Sequence, residues 1–409
     1  MNDIHEIKTC EVCGNNQLQT VLDLGAHPLC DDLIPVGDAR VCREYPIEIL
    51  FCENCKTAHQ RFQVPKRELF PATYHYRSRF TADVLNGMAS LVDACEQRAT
   101  TLQGKKVLDI GCNDGSLLGF FRAKGCVTLG IEPTDAYVDA KENGHTVYNT
   151  FLSKDVAETI LKNHGKPDII TFTNVFAHIE NLPEVIDALK LLMSPQLTIV
   201  IENHYLGSVL DRNQFDTFYH EHPRSYSYSS FLHIAKSIGT AIQSVEFPAR
   251  YGGNIRVFMN ATDPIAQQED HEKILLKEKN FKKQFETLQS NISKWLENKG
   301  EFISALKKDQ TKLLGKAFPG RAAILIKMLG IDEEVISAVY EKSGSMKIGH
   351  YIPGTRIPIH SDDTLFACMK KDDTILNFAW HITGEIKSYL AANGFNGKII
   401  DVLAEEDFA

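Results

Sequence analysis

The sequence predicts an α/β protein in three parts. A small cysteine-bearing module spans residues 1–72, a central parallel-sheet domain 73–260, and a helical linker with a smaller Rossmann-like α/β domain 261–409. Three observations carry this reading. Two Cys-x-x-Cys pairs lie near the N-terminus. A short apolar strand runs into a glycine-bearing turn and a helical pattern at 105–118. A second β/α alternation follows a charged helical stretch. At 409 residues the chain also exceeds what one ordinary core holds.

Cys10 and Cys13 in "CEVCG" and Cys52 and Cys55 in "FCENCK" have the form of a tetrahedral thiolate site. Each pair sets two sulfurs on one knuckle turn, and two knuckles close around Zn²⁺. Gly14 follows the first pair, where such a turn needs a residue tolerant of positive φ. Four protein ligands leave no open position, so the zinc is expected to be structural. The opening "MNDIHEIKTC" has no apolar signal core, which gives the expectation of a cytoplasmic chain with reduced cysteines. A net charge of −9 argues against nucleic acid as a partner. No run approaches the roughly 18 apolar residues of a membrane span.

In "KKVLDIGCNDGSLL" the strand Val107–Ile110 meets Gly111 and then Asp114-Gly115 before a helix begins. This is the strand–turn–helix of nucleotide-binding α/β folds, without the dinucleotide Gly-x-Gly-x-x-Gly spacing. The form Asp109-x-Gly111-x-x-x-Gly115 resembles motif I of class I S-adenosylmethionine (SAM) methyltransferases. That resemblance implies cofactor contacts at Asp109, Gly111, Asn113 and Gly115. The next strand, "CVTLGIEPT", ends at Glu132, placed to take the two ribose hydroxyls. Strands at "HTVYNT", "PDIITFT" and "LTIVIENHY" follow, with helical stretches between, which means a parallel doubly wound sheet. Ligands sit beyond the carboxyl ends of such strands. Topology alone therefore brings Asn174, His178, Glu202, Asn203 and His204 toward the site.

Residues 216–227, "DTFYHEHPRSYS", put Tyr219, His220, Glu221 and His222 side by side. Metal binding there is disfavoured. Zincin histidines stand four apart on a helix, whereas His220 and His222 stand two apart and would diverge on one. Together with the zinc pairs, "LDIGCNDGSLL", "NVFAHIENL", "LGID" and "YIPGTRIPI", the run resembles the sugar C-methyltransferases, mainly 3-C-methyltransferases, acting on nucleotide-linked 4-keto-6-deoxy sugars. The likeness covers nearly the whole chain. It implies SAM and structural zinc as cofactors, a nucleotide-linked 4-keto-6-deoxy sugar as substrate, and an active site of Tyr76 (in "TYHYRS"), His178, Tyr219, Glu221 and His222. His222 is implied as the base, with Tyr219 the alternative, and His220 as structural. The chemistry agrees: a C4 ketone acidifies the C3 proton, so a base near C3 and donors near the C4 oxygen are needed.

"YGGNIRVFMN" reads as a tight turn and an antiparallel edge strand, and residues 264–313 as long helices with solvated charged faces. "AAILIKMLGI", "VISAVYE" and "DTILNFAWHITGEI" then resume a β/α pattern. They predict a second Rossmann-like domain that grips the nucleotide-sugar rather than SAM. Arg356 in "YIPGTRIPI" is a candidate diphosphate contact. Many relatives carry an Ala-x-Lys-Gly-Asn type turn here, where this chain has "GKAFPGRAAILIKMLGID", so the identity of the nucleotide, dTDP or GDP, does not carry over. A monomer is the default expectation. Two other readings stand: an N- or O-methyltransferase of another small molecule, and a non-catalytic zinc adaptor with a degenerate methyltransferase fold. The intact Asp109–Gly115 turn and Glu132 oppose the second.

Overall fold

The structure, a computed structural model, describes residues 4–71, 74, 76–261, 268–370 and 373–408. The boundary expected between 72 and 73, and the first residues of the helical stretch expected from 264, lie outside the described residues. Contacts divide the chain into two units. The first holds residues 1–20, 49–212 and 221–282, the second 21–48, 213–220 and 283–409.

N-terminal strands β1 (Leu18–Pro28), β2 (Glu44–Cys52) and β3 (Thr57–Gln60) precede helix α1 (Ala82–Ala99). The first unit's large sheet then begins: β4 (Lys106–Ile110), α2 (Ser116–Ala123), β5 (Val127–Ile131), α3 (Ala136–Glu142), β6 (Thr146–Tyr148), α4 (Lys154–His164), β7 (Ile169–Thr173), α5 (Leu182–Leu192) and β8 (Thr198–His204). The five strands are parallel. They read as nearly continuous apolar runs because helices cover both faces, and Val107, Leu108, Ile170, Phe172, Ile199 and Ile201 are fully buried. Helix starts follow local chemistry. Ser153 accepts from the Val156 amide at 3.3 Å to begin α4, and Asn181 accepts from Glu184 at 3.2 Å, with Pro183 in the first turn of α5.

After α6 (Leu206–Asp211) come β9 (Arg224–Ser225), α7 (Tyr228–Ile238), β10 (Ala241–Glu246) and β11 (Asn254–Asn260). The sheet order is β10-β11-β8-β7-β4-β5-β6. β11 runs antiparallel to β8, as anticipated, but it is not an edge strand. β10, which the pattern reading did not anticipate, pairs on its outer side and takes the edge. β4 has β5 on one flank and β7 on the other, so the order reverses there and opens a crevice at the strands' carboxyl ends. β9 belongs to a separate four-stranded sheet, β9-β3-β2-β1.

Helices α8 (Gln268–Glu278) and α9 (Phe281–Lys308) account for the charged stretch. In the second unit β12 (Leu313–Lys316), α10 (Ala322–Met328), β13 (Ile336–Glu341), β14 (Ile359–Ser361), α11 (Asp362–Cys368), β15 (Thr374–Asn377), α12 (Thr383–Ala392) and β16 (Lys398–Asp401) form the Rossmann-like domain. Its sheet, β14-β13-β12-β15-β16, is parallel throughout. Arg356 is corrected by its surroundings. Its guanidinium donates to the carbonyls of Asp38, Ala39 and Arg40 at 2.7–3.1 Å and stacks over Tyr351, so most of its donors hold a loop of its own unit rather than a diphosphate. Among the described residues no helix is long and apolar enough to cross a membrane.

Candidate active site and zinc centre

The turn after β4 is shaped by what packs beneath it. Gly111 has φ 71°, and a Cβ there would lie 2.6 Å from Val175. Gly115 has φ 79°, and a Cβ there would meet His145 at 2.7 Å. Both conformations disfavour other residues, and the bare backbone leaves the crevice side open to a ligand. Asn113, at φ 49°, donates its amide to Glu132 Oε2 at 2.9 Å. Glu132 Oε1 accepts from the Thr134 amide and hydroxyl at 2.9 and 2.6 Å. Burial raises the Glu132 pKa. Each carboxylate oxygen accepts two hydrogen bonds, so Oε1 is filled and Oε2 keeps one position for a ribose hydroxyl. Asp109 stands deeper, bonded by Thr171 at 2.7 Å, and burial pushes its pKa up to about 7. The segment before α1 is tied to this turn. The Ser78 amide donates to Asn113 Oδ1 at 2.9 Å, Asn113 Nδ2 to the Tyr76 carbonyl at 3.2 Å, and the Arg79 amide to Asp114 at 2.9 Å.

Across the crevice, the loop after β7 carries His178. Its Nδ1 lies 2.7 Å from the Glu221 carbonyl, which can only accept, so Nδ1 holds the proton of the neutral ring. Burial lowers the His178 pKa to about 4, keeping that ring neutral at working pH. The His222 ring lies 4.8 Å from that of His178 and 5.5 Å from that of His204, centroid to centroid. The Tyr74 hydroxyl donates to Glu221 Oε2 at 3.0 Å. Glu221 thus holds His178 through its backbone and Tyr74 through its carboxylate. Tyr76, the tyrosine singled out from sequence, is 41% exposed. Tyr74 joins this cluster through Glu221.

The surroundings of the other sequence candidates differ. Glu202, at the end of β8, is fully buried and held by Arg256 at 2.6 Å, Arg250 at 3.2 Å and Asn254 at 3.0 Å, an internal ion cluster rather than a ligand surface. Tyr219 and His220 group with the second unit, Glu221 and His222 with the first. Tyr219 is half-buried. His220 Nε2 bonds the Tyr45 carbonyl at 3.0 Å and burial lowers its pKa to about 4, which fits the structural role expected of it.

The four sulfurs of Cys10, Cys13, Cys52 and Cys55 lie within 4.8 Å of one another. A tetrahedral Zn²⁺ with bonds of about 2.3 Å separates its sulfurs by roughly 3.8 Å, so the donor set and spacing fit the metal. Gly14, at φ 75°, donates its amide to the Cys10 carbonyl at 2.8 Å. The second knuckle makes the same turn without glycine: Lys56, at φ 56°, donates to the Cys52 carbonyl at 2.8 Å.

Three family models match in tandem: "Putative zinc binding domain" over residues 10–70, "Methyltransferase domain" over 75–245 and "C-methyltransferase C-terminal domain" over 249–402. With the turn and the sulfur cluster, they support a SAM-dependent methyltransferase with a C-methyltransferase C-terminal part and an N-terminal module whose four cysteines fit zinc. Among individual proteins the chain is similar to the C-methyltransferase NovU of Streptomyces niveus, 27% identical over 406 residues, 94% of this chain and 93% of NovU. A shorter likeness, 31% over 111 residues, joins 25% of this chain to 47% of the ubiquinone biosynthesis O-methyltransferase of Actinobacillus pleuropneumoniae serotype 5b. The magnesium protoporphyrin IX methyltransferase of Synechocystis, solved with bound SAM, is 15% identical, covers 44% of this chain and 80% of its own, and superposes with a TM-score of 0.32.

Proposed function

We propose that the protein methylates C3 of a nucleotide-linked 4-keto-6-deoxy sugar, with His222 as the base. The observation that supports this most is the grouping of His178, His204 and His222 around Glu221 and Tyr74 on the crevice side of the cofactor sheet. Transfer to carbon needs a base and an oxyanion partner that transfer to an already nucleophilic oxygen does not. SAM, when bound, supplies an electrophilic methyl group. His222 removes the C3 proton, the C–H electrons move into a C3=C4 enolate, and the negative charge gathers on the C4 oxygen. Tyr219 is the donor assigned to that oxygen on the family resemblance; Tyr74 adds a second only by turning its single O–H proton from Glu221 to the enolate. His178, neutral and with Nδ1 committed, offers Nε2 as an acceptor for a sugar hydroxyl. Carbon C3 then carries the nucleophilic pair that takes the methyl. Asn113, Gly111, Gly115 and Glu132 hold the cofactor, with Asp109 as the buried support of the turn.

The likeness to O-methyltransferases spans a quarter of the chain, whereas that to the C-methyltransferase spans nearly all of it. The test is a screen of dTDP- and GDP-linked 4-keto-6-deoxy sugars with SAM, read by product mass and NMR. The expected product carries a methyl branch on C3. A product methylated on oxygen or nitrogen would overturn the reading.

A further inference from the structure

We infer that the zinc module positions the catalytic base, and that Glu11 and Arg224 are the residues through which it does so; this rests on the proposed role of His222. Glu11 lies between the two ligands of the first knuckle, so zinc binding fixes its backbone. Its carboxylate Oε2 takes Arg224 Nη1, and also Gln63 Nε2 at 2.8 Å. Arg224, two residues after His222, is fully buried. The same guanidinium donates to the Tyr226 hydroxyl at 3.0 Å and to the Glu180 carbonyl at 3.4 Å, two residues after His178. One cation therefore joins the first knuckle to both histidine-bearing loops.

The second knuckle grips the same stretch. Leaving Cys55, the chain enters β3, whose His59 and Ala58 pair with Arg224 and Ser225 of β9. The Gln60 amide donates to the carbonyl of Pro223, the residue next to His222, at 2.9 Å. Ser227 and Ser230 donate their hydroxyls to the Cys55 carbonyl at 3.3 Å. The attachment is polar and buried where apolar packing would give stability at lower cost in desolvation. What a forked arginine adds is orientation. A displacement of about 1 Å in a catalytic group can cost on the order of a hundredfold in rate.

The test replaces buried Arg224 and half-buried Glu11 by apolar residues of similar volume, Glu11→Leu with Arg224→Met, a change that tends to preserve stability. The expected variant keeps its zinc and its SAM affinity. Its kcat falls by roughly 10- to 100-fold with KM near that of the wild type, and backbone hydrogen exchange over 219–227, measured without substrate, accelerates. Arg224→Lys keeps the charge but loses the fork and should show an intermediate loss. A zinc-loaded double variant with wild-type kcat and unchanged exchange overturns the inference. If the double variant loses zinc or fails to fold, Arg224→Lys decides alone: faster exchange over 219–227 with lowered kcat supports positioning, and wild-type values in both refute it. The exchange readout needs no sugar, so a wrong substrate assignment and a failure of positioning are told apart.

Discussion

One residue, Glu221, separates His220 from His222, and the surroundings of the two rings differ. His220 is buried in the second unit with Nε2 on a backbone carbonyl, and no other imidazole stacks on it among the described ring contacts. His222, in the first unit, has the rings of His178 and His204 beside it. Adjacency in sequence therefore says little about role; what each ring faces decides it. The largest expected effect follows from this contrast. His222→Asn keeps a polar side chain but cannot take the proton, so turnover should fall by roughly 10²–10⁴-fold with SAM affinity unchanged. His220→Asn should spare turnover and lower the melting temperature. Kinetics and thermal melts of the two variants side by side would break the contrast if both changed in the same way.

The two Rossmann-like sheets sharpen it further. In each, an acid at the end of the second strand accepts an amide from the first turn: Glu132 from Asn113 at 2.9 Å, and Glu341 from Phe318 at 2.7 Å. The first turn has left-handed glycines and the second has Ala317, Pro319 and Arg321, with Arg321 turned to Asp216 at 2.9 Å. Hydrogen bonds to charged groups contribute roughly 1.5–3 kcal/mol each, so Glu132→Ala should weaken SAM binding at least tenfold. Glu341→Ala should leave it unchanged. Calorimetric titration of both variants checks the assignment, and equal losses would undo it.

A smaller effect concerns acid stability. Burial lowers His145, His178 and His220 to about 4. Between their unfolded value of about 6.5 and pH 4 the unfolded chain binds these protons and the folded chain does not, so stability is lost as pH falls through that window. Asp109, raised to about 7, acts in the opposite sense and offsets part of the loss. Melting temperatures should therefore drop from pH 6.5 to 4.5, and less steeply in His220→Asn. A flat profile would contradict the burial of these neutral rings.

Local pattern made much of this legible. Cys-x-x-Cys spacing marked the zinc ligands, and the Asp109–Gly115 turn with Glu132 marked the cofactor crevice, because both are short-range constraints on backbone shape. What stayed hidden depends on contacts distant in sequence. In "TYHYRS" the resemblance points to Tyr76, and the contact of Tyr74 with Glu221, 147 residues away in sequence, shows only in the fold. Arg224 reads as one more polar residue of a loop until Glu11 is beside it. Arg356 looked like a ligand contact because its carbonyl partners at 38–40 lie far off in the chain. β10, "AIQSVE", has too weak an alternation to announce the edge strand it becomes.

The central claim is that a proton leaves C3 to His222. The most direct measurement is solvent deuterium entering C3 of a 4-keto-6-deoxy nucleotide-sugar, followed by NMR, on zinc-loaded enzyme with S-adenosylhomocysteine in place of SAM. The account predicts exchange at C3 in the wild type and exchange at least about a hundredfold slower in His222→Asn. Exchange at the wild-type rate in His222→Asn would contradict it.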